Sequence, residues 1–198
     1  MTSTKNIDQL AKRIKAGDEE AISEFVVSFG ESLRRYFVGR GVGPTQAEDL
    51  AVSCTGDIVL RIDQFQTKPT SGSFKSWCYS LAKNRMVDWL RKTQNEASIS
   101  FDPFSKFFCN GDHEAEFSPS QLVLMSAVVD GLSSLSETDS EVLLLRYADE
   151  HNSFADIGKI LGIQKGTART RHHRALERLE KILKESDVVK KWLEKIKD

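Results

Sequence analysis

Apolar residues recur at spacings of three and four along most of the chain, and no run shows the strict alternation that a half-buried strand requires. Ile7, Leu10, Ala11 and Ile14 predict a first helix. Ala21, Ile22, Phe25, Val26, Phe29, Leu33 and Phe37 predict a second, which Gly39, Gly41, Gly43 and Pro44 end. Thr45 and Glu48 have capping-box spacing, so a third helix is expected from there, carrying Leu50, Ile58, Leu60 and Ile62 towards Phe65. Pro, Gly and Ser make Gln66 to Ser73 a loop. Beyond it, Phe74, Trp77, Leu81, Val87, Trp89 and Leu90 predict a fourth helix with basic residues on its other side.

From Thr93 to about Pro119 the periodicity fails and a linker is expected. Asp102 before Pro103 predicts one short helix there, with Phe104 and Phe108 on a shared face. Phe101, Phe104, Phe107, Phe108 and Phe117 either pack back on a domain or await a partner groove. A second helical set follows: Leu122, Met125, Val128, Val129 and Leu132, then Ser136 with Asp139 as a cap before Val142 to Leu145. The expected fold is all-α: two small helical domains, residues 1–93 and 122–183, joined by a linker over 94–121 and followed by a helical extension over 184–198. In that extension Val188, Trp192 and Ile196 recur every four residues, predicting a continuation of the last helix.

The stretch from Phe154 to Leu176 carries the strongest local signal. Ser153 and Asp156 have capping-box spacing, Phe154, Ile157 and Leu161 point inward, and Gly162 stops the helix by taking positive φ at little cost. Ile163 pins the turn before a second helix opens near Lys165, with Ala168, Ala175, Leu176, Leu179, Ile182 and Leu183 as its inward stripe. Two short helices about a Gly turn make a helix-turn-helix. Lys165, Thr167, Arg169, Thr170, Arg171, His173 and Arg174 lie largely off the stripe, and such side chains suit a DNA major groove, where Arg bonds guanine bidentately and Thr or Lys holds phosphate. His172 falls on the stripe of Ala168 and Ala175, as either a satisfied half-buried ring or a pH-sensitive one.

A net charge of −1 excludes a uniformly basic nucleic-acid binder, but charge is unevenly spread. One basic stretch runs from Lys165 to Lys181, another holds Lys75, Lys83, Arg85, Arg91 and Lys92, and acid collects between them from Glu96 to Glu150. Two basic surfaces about an acidic connection fit two contacts on one polyanion, or two solvated helix faces. Cys54, Cys78 and Cys109 form no CxxC pair and only His113 is near one, so neither a disulfide framework nor a metal site is expected, and no cofactor. Without a nucleophile motif or a Gly-rich phosphate loop, an enzyme is not expected. No apolar run approaches a membrane span and the N-terminus lacks signal-peptide character, so a cytoplasmic protein is the expectation.

"LSETDSEVLLLRYADEHNSFADIGKILGIQKGTARTRHHRALERL" resembles the C-terminal promoter-reading domain of the extracytoplasmic-function (ECF) sigma factors of bacterial RNA polymerase, in the sigma-70 superfamily. "AEDL" and "FKSWCYSLAKNRMVDWLRK" are similar to the family's N-terminal domain. The resemblance implies core RNA polymerase and promoter DNA as partners, with an anti-sigma factor or a Ser/Thr kinase as regulators. It implies that residues 122–183 read the minus-thirty-five element, that Asp49, Leu50 and Ser53 meet the polymerase clamp, and that the acidic linker passes near the RNA exit path. Tyr79, Lys83, Asn84, Arg85, Asp88, Arg91 and Lys92, with the loop before them, would serve the minus-ten element. A flipped base there needs an aromatic or amide group, and its backbone needs cations. Trp77 and Trp89 either stack on bases or fill the core.

After "AEDL" the family usually shows Gln-Glu and then an aromatic, where this chain has Val52, Ser53 and Thr55. Phosphorylation of Ser53 or Thr55 would restore the missing negative charge; compensated drift is the alternative. A stand-alone helix-turn-helix repressor or activator is the competing function, and it would have no need of the segment from Phe74 to Lys92.

Overall fold

In a computed structural model of the chain, residues 4–66, 73–96, 119–149 and 152–197 are described. Nine α-helices lie among them, and no strand. They are α1 (Thr4–Lys15), α2 (Glu19–Gly39), α3 (Pro44–Leu60), α4 (Phe74–Glu96), α5 (Pro119–Ser133), α6 (Glu137–Ala148), α7 (Phe154–Leu161), α8 (Lys165–Glu185) and α9 (Asp187–Lys197), with a 3₁₀ turn at Ile62–Gln64. The predicted linker helix, the linker phenylalanines, Cys109, His113 and most of the Gln66 to Ser73 loop fall outside the described residues.

The first four helices wrap an aromatic centre. α2 starts at Asp18, whose carboxylate accepts the Ala21 N–H at 3.0 Å, and buries Ala21, Phe25, Phe29, Leu33 and Phe37 as the spacing predicts. Tyr36 joins that face and was not legible in the pattern. Phe25 stacks on Phe29 at 5.2 Å between ring centroids, and Tyr79 of α4 meets Phe29 and Tyr36 edge-on. Asp8 of α1 reaches across to accept the Phe74 N–H at 3.1 Å and so caps α4 from a distant helix.

Two local expectations are corrected. The Thr45–Glu48 box does not cap α3: Gly43 is the N-cap residue, with Pro44 in the first turn, where its missing N–H costs no hydrogen bond. The most buried stripe of α4 is Phe74, Lys75, Cys78, Tyr79, Ala82 and Met86, while Trp77, Leu81, Trp89 and Leu90 are half-buried and pack against its flanks. Both tryptophans therefore pack on the core from its edge. Burial pushes the Cys54 thiol up to about 12 and raises that of Cys78, so both cysteines stay as inert thiols.

In the C-terminal half Ser136 caps α6 as predicted, accepting the Asp139 N–H at 3.2 Å. Gly131 lets α5 close on α8, since a Cβ there would lie 2.6 Å from Leu179 Cδ1. The tail does not prolong α8: the helix ends at Ser186 and α9 begins as a separate helix packed on α5 and α8. Among its described residues Val189 is buried, whereas Val188 is exposed.

The two halves share one continuous core. α2 packs on α6, and α4 on α7. Gly39 lets α2 approach α6 closely, for a Cβ on Gly39 would overlap the Leu144 side chain.

Candidate nucleic-acid and polymerase surfaces

α7, the turn and α8 form the predicted helix-turn-helix. Ser153 and Asp156 make a reciprocal capping box, with the Ser153 hydroxyl accepting from Asp156 N–H and the Asp156 carboxylate accepting from Ser153 N–H at 3.1 Å. Gly162 takes φ +67°, and the Ile163 N–H then donates back to the Gly158 carbonyl at 2.9 Å. The turn also depends on Gly158, which the sequence pattern did not single out. A Cβ at Gly158 would lie 2.6 Å from the Ile163 carbonyl oxygen, a backbone atom that cannot yield.

α8 buries only Ala168 and Ala175 fully. Leu179, Ile182 and Leu183 are half-buried, and Leu176, expected inward, is exposed. Lys165, Thr167, Arg169, Thr170, His173 and Arg174 are all exposed, so the helix presents the predicted hydroxyls and cations along one accessible side.

Arg171 behaves differently. Its guanidinium is 2.9 Å from Asp139 Oδ1, and Arg178, two turns further, is 3.2 Å from Asp139 Oδ2. Burial works to raise the Asp139 pKa, yet the Arg171 hydrogen bond and the two guanidinium charges outweigh it and hold the carboxyl below the ordinary range. Asp139 thus ties α8 to α6, and Arg171 is a structural cation in this arrangement. His172 lies between Tyr147 and Phe154, with ring centroids 5.9 and 5.3 Å away, and its Nε2 is buried without a partner. Burial, with Arg146 and His173 nearby, lowers its pKa, so the neutral ring prevails at pH 7 and its titration moves away from neutrality.

On α4, Asn84, Asp88, Arg91 and Lys92 are exposed and Arg85 is half-buried. Lys83 is exposed but leans 3.0 Å from Glu137 of α6. Tyr79 does not lie on this surface. It is 3% exposed, held between the rings of α2, and burial raises its hydroxyl pKa.

On α3, Asp49 and Ser53 face outward, whereas Leu50 is buried and packs inward. The Ser53 hydroxyl accepts from Arg85 at 2.8 Å, and Arg85 also pairs with Asp57 at 2.9 Å. Ser53 and Arg85 border a cleft of about 290 Å³ between α3 and α4, with Asp49, Trp89 and Lys92 along it. Thr55 is only 1% exposed and donates its hydroxyl to the Ala51 and Val52 carbonyls, so in this fold a kinase has no access to it. Val27 and Val52 are strongly exposed beside the groove between α2 and α3. The adjacent Val26–Val27 pair, only one of which can face inward at helical spacing, is the signal that could have found this patch.

The acidic residues between the basic stretches are more than a connection. Asp139 and Glu141 are buried, Asp149 is largely so, and all three pair with cations of the two halves.

A family profile described as "Sigma-70, region 4" matches residues 131–181, the segment from the end of α5 through most of α8. The chain is 26% identical over 187 residues to ECF RNA polymerase sigma factor SigW of Bacillus subtilis (strain 168), covering 90% of this chain and 97% of that protein. It is 30% identical over 162 residues to ECF RNA polymerase sigma factor SigM of the same organism, covering 81% and 94%. In fold it is similar to CnrH, solved in complex with the cytosolic domain of CnrY, at a TM-score of 0.63 and 19% identity over 90% of this chain and 98% of that one. A basic helix-turn-helix alone is common to many DNA-binding proteins, but here the likeness to these relatives runs over nearly their whole length, and the chain belongs to the ECF sigma factors of bacterial RNA polymerase.

Proposed function

We propose that this sigma factor directs promoter-specific initiation in the manner the sequence resemblance implies, through residues 1–93, 122–183 and the linker between them. The exposed side of α8, with Lys165, Thr167, Arg169, Thr170, His173 and Arg174, reads the minus-thirty-five element in a major groove. Asn84, Arg85, Asp88, Arg91 and Lys92 of α4, with Lys83 and the preceding loop, serve the strand displaced at the minus-ten element. Asp49 and Ser53 of α3 meet core polymerase. The observation that carries this reading is the pairing of two separate cationic helix faces, α4 and α8, with an outward acidic and hydroxyl face on α3. The chain acts by binding, and the polymerase supplies the chemistry.

Regulation enters at Ser53. Its hydroxyl is accessible and already bonded to Arg85, so a phosphate there would add charge to the α3 face with a guanidinium beside it. A Ser/Thr kinase is therefore one proposed partner. CnrH was solved with a protein bound to it, and an anti-sigma factor is the second.

Titrating fluorescently labelled chain with bacterial core polymerase tests the reading. Saturable binding is expected, and Ser53→Glu should tighten it by up to about fivefold, the upper end for one exposed ion pair. No saturable binding by either form would remove the polymerase role, and equal affinities would remove the charge at Ser53 as its regulator.

A further inference from the structure

We infer that Tyr147, a residue of α6 outside the helix-turn-helix, is a DNA-backbone contact, its hydroxyl donating to a phosphate at the edge of the groove that α8 enters. The inference rests on the duplex reading proposed above for α8. Tyr147 lies in the last turn of α6 and is 59% exposed. Among the described residues no other Phe, Tyr or Trp is exposed, and no described group bonds the Tyr147 hydroxyl. A large ring left in water with a free donor is placed to meet something outside the chain.

The ring is held in place before any DNA arrives. Tyr147 stacks on His172 of α8 at 5.9 Å between centroids, with the planes 30° apart. His172 meets Phe154 of α7 edge-on at 5.3 Å, and the Arg146 guanidinium lies 5.5 Å from the centre of the Phe154 ring. Arg146 in turn donates to the Asn152 carbonyl at 2.5 Å. The stack thus runs from α6 through α8 and α7 and returns to the neighbour of the residue where it began. A side chain with two χ angles, already fixed by such a stack, loses little freedom on binding. His172 acts here as a platform, which gives its half-buried ring a purpose other than titration.

Helical spacing decides what the ring can reach. His172 lies seven residues after Lys165, three after Arg169 and four before Leu176, so the four side chains share one flank of α8. Lys165, Arg169 and Leu176 are exposed, and Tyr147 stands beside their row. An α-helix with its side chains is about 10 to 12 Å across and the major groove about 12 Å wide, so α8 alone fills the groove. A ring stacked against the flank of that helix has no room among the base edges. It meets the groove wall, where the phosphates run, and a tyrosine hydroxyl is one of the donors that phosphate oxygens accept. Tyr147 therefore adds affinity and fixes the seating of α8 without reading sequence.

Fluorescence anisotropy of the full chain on two labelled duplexes, one enriched from random sequence and one of random sequence, tests the contact without polymerase. Tyr147→Phe removes only the hydroxyl and keeps the stack, so its circular dichroism melt should match wild type. Binding should weaken by about two- to tenfold, the net range of a typical hydrogen bond, and by the same factor on both duplexes. The salt dependence should keep the wild-type slope because no cation is lost, whereas removing an arginine that neutralises a phosphate lowers it by about one. His172→Phe retains a ring beneath Tyr147 and should bind as wild type does, while His172→Ala should lose at least as much as Tyr147→Phe. Wild-type affinity of Tyr147→Phe on both duplexes overturns the contact, and a loss confined to the enriched duplex overturns its assignment to the backbone. A wild-type chain that binds neither duplex overturns the duplex reading of α8 and the contact with it, so the two failures are distinguishable.

Discussion

Replacing Arg169 and Arg174 together with alanine is expected to weaken binding to the preferred duplex by at least about thirtyfold, from about 1 to 3 kcal/mol for each arginine that reaches a base edge. Both side chains are exposed on α8, and among the described residues no acid pairs with either of them. Arg171 provides the contrast. It and Arg178 are held by Asp139, so Arg171→Ala should lower thermal stability while leaving the salt dependence of duplex binding nearly unchanged. An arginine that neutralises a phosphate lowers that slope by about one when removed. Fluorescence anisotropy over a range of salt concentrations, using a duplex enriched from random sequence, measures both quantities. Equal losses at Arg169, Arg171 and Arg174 would show that Asp139 does not sort the cations of this helix.

A second large effect is expected at Gly158. Alanine is normally the better helix former by about 1 kcal/mol, and in an open helix it would stabilise. Here its Cβ meets the Ile163 carbonyl oxygen at 2.6 Å and the Lys165 nitrogen at 3.4 Å, both backbone. Strain of this kind costs about 1 to 3 kcal/mol, and Gly158→Val should exceed Gly158→Ala because a branched side chain cannot turn away. The turn that sets α8 against α7 would open, and duplex affinity would fall with thermal stability. Gly166, near the start of α8, has open space around it, so Gly166→Ala is the control and should not destabilise. Circular dichroism melts of the three variants decide the matter, and a Gly158→Ala melt at or above wild type would contradict the packing described here.

The contrast between Gly162 and Gly158 shows what the sequence makes legible. Gly162 is announced by its place after an apolar run and before a new helix, because local backbone geometry demands positive φ there. Gly158 lies inside a helix, and its requirement comes from the backbone of the turn at Ile163 to Lys165 passing over it, a close approach that the spacing of apolar residues does not announce. The same division runs through the fold. The helical periodicity, the Ser136 and Ser153 caps and the aromatic stripe of α2 are local, and each matches the structure. The α4 stripe was misjudged because its long, half-buried tryptophans dominate any count of apolar residues, while Cys78, Ala82 and Tyr79 fill the tighter inner side. Leu50 and Thr55 were placed near that face by their position in a motif, yet Leu50 follows Asp49 directly and Thr55 lies two residues after Ser53, and these steps of about 100° and 200° turn both side chains inward. Charge was the least legible feature. Composition gave basic stretches and an acidic connection, but which acid meets which cation depends on how the halves dock, and Glu141 finds Tyr36 and Arg40 about a hundred residues away.

In the proposed function this chain gives core polymerase its promoter choice, with α4 and α8 contacting DNA as parts of one complex. The most direct measurement is to sequence the 5′ ends of RNA made by core polymerase on genomic DNA of the host, with and without the chain. New start sites are predicted only when the chain is present, sharing two upstream elements about 25 base pairs apart, and they should disappear with the Arg169→Ala, Arg174→Ala variant. An unchanged set of starts, from a chain that still binds its enriched duplex specifically on its own, would contradict the account and favour a helix-turn-helix regulator that works without polymerase.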